Sequence, residues 1–264
     1  MNEVMELLAN RRSVRSYDTR PIQDEVKEQM LAATMRAPTA GNMMLYSIIE
    51  VSEQSAKDAL SRSCDNQPFI ATAPLVLLFL ADHQRTYDYF VACGVPQSCM
   101  PKGQSLRKPE EGDLLLACCD AVIAAHTSVI AAESLGIGSC YIGDIMERYE
   151  VHRDLFHLPD HVFPICLVCY GYPKRSEHER PLTSRFPKKF IVFRDRYRRL
   201  TPADFDEMYR DKQERASELW KKPGPVPTVG ELVYQRKYDA DFTREMNRSV
   251  RAMLEAWRGK EENE

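Results

Sequence analysis

The 264-residue sequence has no surplus of charge of either sign: 36 Lys and Arg face 39 Asp and Glu, a formal charge of −3. Without a basic surplus there is no electrostatic footprint for nucleic acid or an anionic membrane surface, so neither is expected as a partner. No secretory leader is expected either. The start, MNEVMELLANRRSVRSY, spaces its apolar residues on a helix and places its basic residues after them, the reverse of the secretory order. No G-x-x-x-x-G-K run and no G-x-G-x-x-G spacing occurs, which excludes a P-loop and a dinucleotide fingerprint. No internal repeat is found.

Eight cysteines are present, several inside apolar runs such as LLLACCDAV and PICLVCYG. With no leader, free cytosolic thiols are expected, and with them a cytoplasmic protein. Cys166 and Cys169 form a C-x-x-C. In the strand ICLVCYG that spacing puts them on opposite faces, unsuited to metal binding or thiol exchange. Cys93 and Cys99 lie in a polar, Pro- and Gly-containing stretch, where a metal or redox role has its one weak opening. No metal site is expected.

The longest apolar stretch, Leu114 to Leu135, approaches membrane-spanning length but carries Asp120, His126 and Glu133. Such positions are costly in a bilayer, so it reads as the central helix of a large core or a subunit interface. Asp120 and His126, six residues apart, face different sides, and structural hydrogen bonding is expected of them rather than acid–base chemistry.

Helical spacing predicts a helix at 2–10 and another from about Glu25 to Arg36, capped by Asp24 and stopped at Ala37-Pro38. Strands are expected at 45–51, 73–82, the VFPICLVCYGYP run and KKFIVF (188–193), with a helix opened by Ser52 between the first two. Residues 93–113 read as a long loop, GIGSCYIGDI as a loop or edge segment, and Gly136 as the left-handed end of the central helix. From about Thr201 the character changes. Two charged stretches, 201–221 and 239–259, carry narrow apolar stripes and lie along another surface, that of a partner subunit being the natural candidate. The division expected is a domain at 1–200 and a helical extension at 201–264. Strands far apart in sequence, without regular strand–helix alternation, give an α+β class.

Three polar clusters stand out. Arg11, Arg12, Ser13 and Arg15 offer guanidinium and hydroxyl donors suited to a phosphate monoester, or form a solvated basic helix end. Thr39 and Asn42, in the turn APTAGN, suit the polar edge of a planar heterocycle, or simply make the turn. Tyr141, Ile142 and Gly143 follow closely spaced glycines that let backbone approach a flat ligand, or form a helix stop and edge strand.

Their order lifts them. RRSVRSYDTRPI, then RAPTAGNMMLYSIIEV, NQPFIATAPLVLLFLAD, DLLLACCDAVIAAHTSVIAAESLGIGSCYIGDI and ICLVCYGYPKRSEHERPLTSR together resemble the FMN-dependent nitroreductase family across roughly residues 1–200. The resemblance implies an α+β sandwich with a central, mostly antiparallel sheet flanked by helices, and an intertwined homodimer with two flavins at its interface. It implies an NAD(P)H-dependent FMN oxidoreductase that passes hydride through flavin N5 to a nitroaromatic, quinone or similar small acceptor by a ping-pong scheme. No protein nucleophile is needed. On this pattern Arg11, Arg12, Ser13 and Arg15 would line the FMN phosphate and ribityl chain. Thr39 and Asn42 would come from the neighbouring subunit or the site's rim, and Asn66 or Gln67 would contact the isoalloxazine. Tyr141, Ile142 and Gly143 would pack near the ring's reactive edge, and Arg185 would close on the phosphate.

The chain departs from the pattern in three places. Asn42 is followed by Met43, Met44, Leu45 and Tyr46 where many members have Gln-Pro-Trp. Thr183 stands where some have lysine, and Gly143-Asp144 where some have Glu-Gly. These bear on acceptor choice, phosphate charge and flavin-edge polarity. The alternatives are a specialised reductase of the same fold (reductive dehalogenation or flavin-consuming chemistry), a non-catalytic flavin-binding sensor, and a metal-binding cysteine protein.

Overall fold

A computed structural model describes residues 2–259. They fall into two compact units: the chain up to Arg180 together with Glu245 onward, and Pro181–Arg244.

In chain order the first unit contains α1 (Glu3–Asn10), α2 (Asp24–Thr34), β1 (Tyr46–Glu50), α3 (Gln54–Ser63), α4 (Pro68–Thr72) and β2 (Leu75–Asp82). It continues with α5 (Gln84–Ala92), α6 (Val95–Cys99), α7 (Glu111–Ser134), β3 (Gly138–Ile142), α8 (Tyr149–Phe156), β4 (Val162–Gly171) and α9 (Arg175–His178). The second unit holds α10 (Pro202–Leu219) and α11 (Val229–Val233), and α12 (Asp241–Arg258) carries the chain back to the first.

The four strands form one antiparallel sheet in the order β1-β2-β4-β3, the α+β architecture that the pattern of elements implies. Every residue of β2 is buried, which is why its sequence is a continuous apolar run rather than an alternating one. Leu75, Leu77, Phe79, Val168 and Tyr170 face α7, whose Ala121, Ala124, Ala125 and Ala132 let the helix lie close to the sheet. Val76, Leu78, Leu80, Leu167 and Cys169 face the other way, against Leu60 of α3 and Ile70 of α4. Cys166 and Cys169 do lie on opposite faces, and all eight cysteines are free thiols.

By length and composition α7 passes for a membrane span. In the fold it packs on the core, and two of its buried polar residues are satisfied: Ser128 Oγ lies 2.5 Å from the Tyr170 hydroxyl, and Asp120 accepts two backbone N–H bonds; Glu133 Oε1 is buried without a hydrogen-bond partner among the described residues. It starts three residues before the apolar run because Glu110 and Asp113 form a reciprocal capping box. It ends on Gly136 at φ +72°, with Gly136 N–H bonded to the Glu133 carbonyl and Ile137 N–H to the Ala132 carbonyl. That double closure, which a left-handed residue makes possible, turns the chain directly into β3.

Several local expectations are corrected. KKFIVF is not a strand: Lys188–Phe190 is a 3-10 turn entered from Pro187. Residues 93–113 are not loop throughout, since α6 begins after Gly94 at φ +75° with Pro96 in its first turn, and a 3-10 turn follows at Met100–Lys102. Asp24 lies inside α2, and α3 begins at Gln54, so neither Asp24 nor Ser52 is the cap. The apolar stripe of α12 covers its own chain: Met253 and Trp257 are buried against Leu114, Ala117 and Phe163. The Trp257 indole N–H donates to the Glu110 carbonyl at 3.0 Å, and Arg248 grips Glu150 with two bonds of 2.8 Å.

Candidate functional site

The segment after α1 is extended and lies along β3. Ser13 forms a bridge with Ser139, Val14 N–H bonds the Ser139 carbonyl at 2.8 Å, and Tyr17 bridges to Pro173. This contact requires Gly138, because a Cβ there would meet Val14 Cγ2 at 2.5 Å. Extended backbone alternates its side chains, so the arginine cluster divides. Val14 enters the core, while Arg12 turns its guanidinium to the Glu177 and Arg180 carbonyls at 3.2 and 2.7 Å. Arg11, Ser13 and Arg15 share the other side. Among the described residues neither the Arg11 nor the Arg15 guanidinium has an ion-pair or hydrogen-bond partner, and their charges act on Cys140 of β3. Arg11 also acts on Tyr141 and on Glu133 at the end of α7. Burial pushes the Glu133 carboxyl up to about 7, against the pull of Arg11 and Arg12. Ser139 Oγ, beside the bridge, is buried with no hydrogen-bond partner.

At the far end of β3, Tyr141 and Gly143 are exposed, whereas the Ile142 side chain is buried in the core and leaves only its backbone to a ligand. Gln67 reaches the same place from the turn before α4. Its Nε2 donates to Asp144 Oδ2 at 2.7 Å and to the Cys64 carbonyl at 3.0 Å. Asn66 is exposed at φ +51°. One chain thus brings Arg11, Ser13, Arg15, Tyr141, Gly143 and Gln67 to β3 and the turn that follows it.

Thr39 and Asn42 lie elsewhere. Their turn holds Gly41 and Asn42 at φ +55° and +57°, and the Thr39 hydroxyl accepts the Met44 N–H at 3.3 Å. Asp120 fastens both ends: Oδ1 accepts from Ala40 N–H at 2.9 Å and Oδ2 from Leu45 N–H at 3.0 Å. The turn leads into β1, one edge of the sheet, while β3 is the other edge, three strand spacings or about 14 Å away. Along α7, Asp120 and Gly136 are separated by a further span of about 24 Å at 1.5 Å per residue. Arg185 belongs to the second unit, where it donates to the Thr183 carbonyl at 3.1 Å.

Two side chains at the site escape sequence reasoning. Asp144 holds Gln67, and Glu147 lies 4% exposed with Oε1 unpartnered. Burial, then Asp144 and Asp65, push the Glu147 carboxyl up to about 7. No local motif marks Glu147, and Asp144 is marked only as a departure from the family pattern. Both acquire their surroundings from Asp65 and Gln67, far off in the chain.

The sequence profile described as the nitroreductase family matches residues 8–172, more than half of the chain. The chain belongs to the nitroreductase family. It is accordingly an oxidoreductase. The FMN reductase (NADPH) of Bacillus subtilis strain 168 is 30% identical over 199 residues, covering 75% of each chain. The oxygen-insensitive NADPH nitroreductase of Salmonella typhimurium is 29% identical over 200 residues, covering 76% of this chain and 77% of that one. Among solved structures, a Bacteroides fragilis protein described as an oxidoreductase superposes with a TM-score of 0.80 at 27% identity, covering 96% of this chain and 99% of the other. The family match spans every β3-side residue named above, from Arg11 to Gly143.

Proposed function

We propose that this family member binds FMN and reduces a small electrophilic acceptor, a nitroaromatic or quinone, at the expense of NADH or NADPH. The observation that carries the reading is the pair of unpartnered guanidinium groups, Arg11 and Arg15, on the side of an extended segment that also presents the Ser13 hydroxyl. In a chain of this family, such a cationic pair fits the phosphate of FMN through charge-assisted bonds. The orphaned Ser139 hydroxyl beside it adds a donor that a polar ligand would satisfy. The relatives' names supply the cofactor and donor: one is an FMN reductase using NADPH, the other an NADPH nitroreductase.

Bound FMN would supply the hydride chemistry, accepting from the nicotinamide and delivering to the acceptor in turn at one open place. The protein's work is binding and orientation. Arg11, Ser13 and Arg15 would hold the phosphate and ribityl chain, and Gln67 a polar edge of the ring. Tyr141 and the backbone at Ile142 and Gly143 would pack beside it. Arg185 is proposed to close on the phosphate, and Asn66 to contribute at the ring's rim. Arg12, whose donors are turned to backbone carbonyls, would brace the segment.

Thr39 and Asn42 are proposed to reach the site from a second copy of the chain, because their own β3 is at the opposite sheet edge. α7 offers the surface for a homodimer: Leu115, Leu116, Val122 and Ile123 are exposed at 67%, 49%, 47% and 38% on a helix whose other side packs on the sheet. A soluble, cytoplasmic enzyme is the corresponding cellular form.

The purified protein should show the two visible bands of oxidised flavin, with one FMN per chain, and bleach anaerobically on addition of NADH or NADPH. Subsequent addition of a quinone or nitrofurazone should restore the colour. A protein that stays colourless after incubation with FMN, or a bound flavin that neither nucleotide reduces, would overturn the proposal.

A further inference from the structure

Behind Gly143, side chains meet in a way the proposed binding set leaves unexplained. Both N–H bonds of the Gln67 amide are committed, to the Cys64 carbonyl and to Asp144 Oδ2. Each partner is an acceptor, so the amide stands one way round and Oε1 is the atom left to face a ligand. Asp144 begins the next contact as well. Its carbonyl accepts the Glu147 N–H at 3.0 Å, closing the 3-10 turn Gly143–Met146, and its carboxyl meets that of Glu147 within hydrogen-bonding range.

Glu147 has no ion pair among the described residues. It is 4% exposed, and its Oε1 lacks a hydrogen-bond partner. The groups around it come from three directions. Asp144 faces it from its own turn, Asp65 and Cys64 from the end of α3, and Arg148 and His152 from the start of α8. His152 is fixed by the Ile145 carbonyl at 2.8 Å and Ser63 Oγ at 2.7 Å, and burial disfavours its charged form. Arg148 is thus the cation opposing two neighbouring carboxylates. Three carboxyls with one nearby guanidinium favour retention of a proton, and the carboxyl with the least solvent and an empty acceptor atom is the one to retain it.

We propose that Asp144 and Glu147 act as a proton-sharing pair of positioning residues, which fix Gln67 and make the affinity for reduced flavin respond to pH. This rests on the FMN reading above. With its proton, Glu147 donates to Asp144, the pair carries one negative charge, and Asp144 keeps its bond to Gln67. Without it, two like charges face each other at the end of β3 that bears Gly143. Reduction adds negative charge to the ring, so the doubly charged pair weakens binding of the reduced form more than that of the oxidised form.

The test uses full-length protein reconstituted with FMN, comparing wild type with Glu147→Gln and Asp144→Asn. The glutamine keeps the shape and the donor of protonated Glu147 but cannot ionise. Midpoint potentials of wild type and Glu147→Gln should coincide at about pH 6 and separate above about pH 7. In wild type the preference for oxidised over reduced flavin should then grow about tenfold, or about 30 mV for a two-electron couple. Proton uptake by the flavin itself cancels in the difference. Asp144→Asn should shrink the separation and weaken FMN binding, because Gln67 loses its anchor. A second readout needs no flavin: carbon NMR of the flavin-free protein should show the Glu147 carboxyl titrating near pH 7, and lower in Asp144→Asn. Identical potentials across pH, or a Glu147 titration in the ordinary carboxylate range, would overturn the inference alone. Failure of the folded protein to take up FMN would overturn the functional reading and the inference together.

Discussion

Asp120 offers a sharp test of how the core helix serves the site. It is 2% exposed, and both of its carboxylate oxygens are taken by backbone N–H groups at the two ends of the turn bearing Thr39 and Asn42. Replacing it with alanine removes two charge-assisted bonds, each worth about 1.5–3 kcal/mol, and leaves the buried Leu45 N–H without an acceptor. The expected loss is about 3–5 kcal/mol, a large fraction of a domain's stability. Asp120→Asn keeps one acceptor oxygen but turns an NH2 toward the other N–H, so about half that loss is expected. Urea unfolding of the flavin-free protein measures both, with an unchanged slope showing that the native state stays compact. The turn also stores strain: Met44 at φ +52° lies in the left-handed region that asparagine, aspartate and glycine enter readily but methionine does not. Freed at one end, it should relax, so FMN affinity in the folded Asp120→Asn protein should fall as well. A loss under about 1 kcal/mol for Asp120→Ala would refute the anchoring argument. Normal FMN affinity in Asp120→Asn would separate the turn from the site.

Four further outcomes follow from the same geometry. Arg11→Ala and Arg15→Ala should each weaken FMN binding by about 1.5–3 kcal/mol, at least tenfold, with little change in unfolding midpoint, whereas Arg12→Ala should lower stability more than affinity; fluorescence titration and urea melts distinguish the two. Trp257→Ala should cost about 3–5 kcal/mol by emptying the fully buried indole site that holds α12 on its own unit; a smaller loss in chemical denaturation would mean that α12 docks loosely. Glu147 holds its proton better in the folded state than in the unfolded chain, so stability should be greatest below its ordinary value and decline as pH rises through about 7, by on the order of 3 kcal/mol, a decline absent in Glu147→Gln. Finally, a subunit lacking Arg11 and Arg15 mixed with one lacking Thr39 and Asn42 should regain FMN in about a quarter of sites, because each hybrid dimer rebuilds one complete site; hybrids that form without regaining flavin would place Thr39 and Asn42 outside it.

The readable parts of this fold are those in which a single element's surroundings decide its sequence. β2 is buried on both faces and therefore continuously apolar, and α7 packs one side on the sheet while Leu115, Leu116, Val122 and Ile123 keep its other side apolar, hence its lack of a polar stripe. Gly136 is legible because a left-handed helix end has few chemical solutions. KKFIVF misleads for the opposite reason. Its β-branched and aromatic residues carry strand propensity, but Pro187 leads the segment into a 3-10 turn instead. The arginine cluster was legible as a cationic group but not as a divided one. The division depends on α1 stopping at Asn10, after which period-two alternation sends Arg12 to one side and Arg11 and Arg15 to the other. Glu147 was illegible as a site residue, and Asp144 stood out only as a departure from the family pattern. Their character depends on Gln67 and Asp65, which no local spacing links to them.

The topology itself divides the candidate site. α7 is fixed in its first half by the Asp120 bonds to the β1-side turn and at its C-terminal end by the Gly136 closure that starts β3. Because β1 and β3 are the two edges of one sheet, no repacking of loops within a chain brings Thr39 and Asn42 to Arg11 and Tyr141 without undoing one of those ends. A second copy, meeting the first across the exposed Leu115, Leu116, Val122 and Ile123 of α7, needs no such change. The helix that separates the two polar clusters within one chain also presents the apolar surface through which another chain would reunite them. On this view, loss of the dimer and loss of flavin are one event, and FMN affinity should fall with protein concentration below the dimer's dissociation constant.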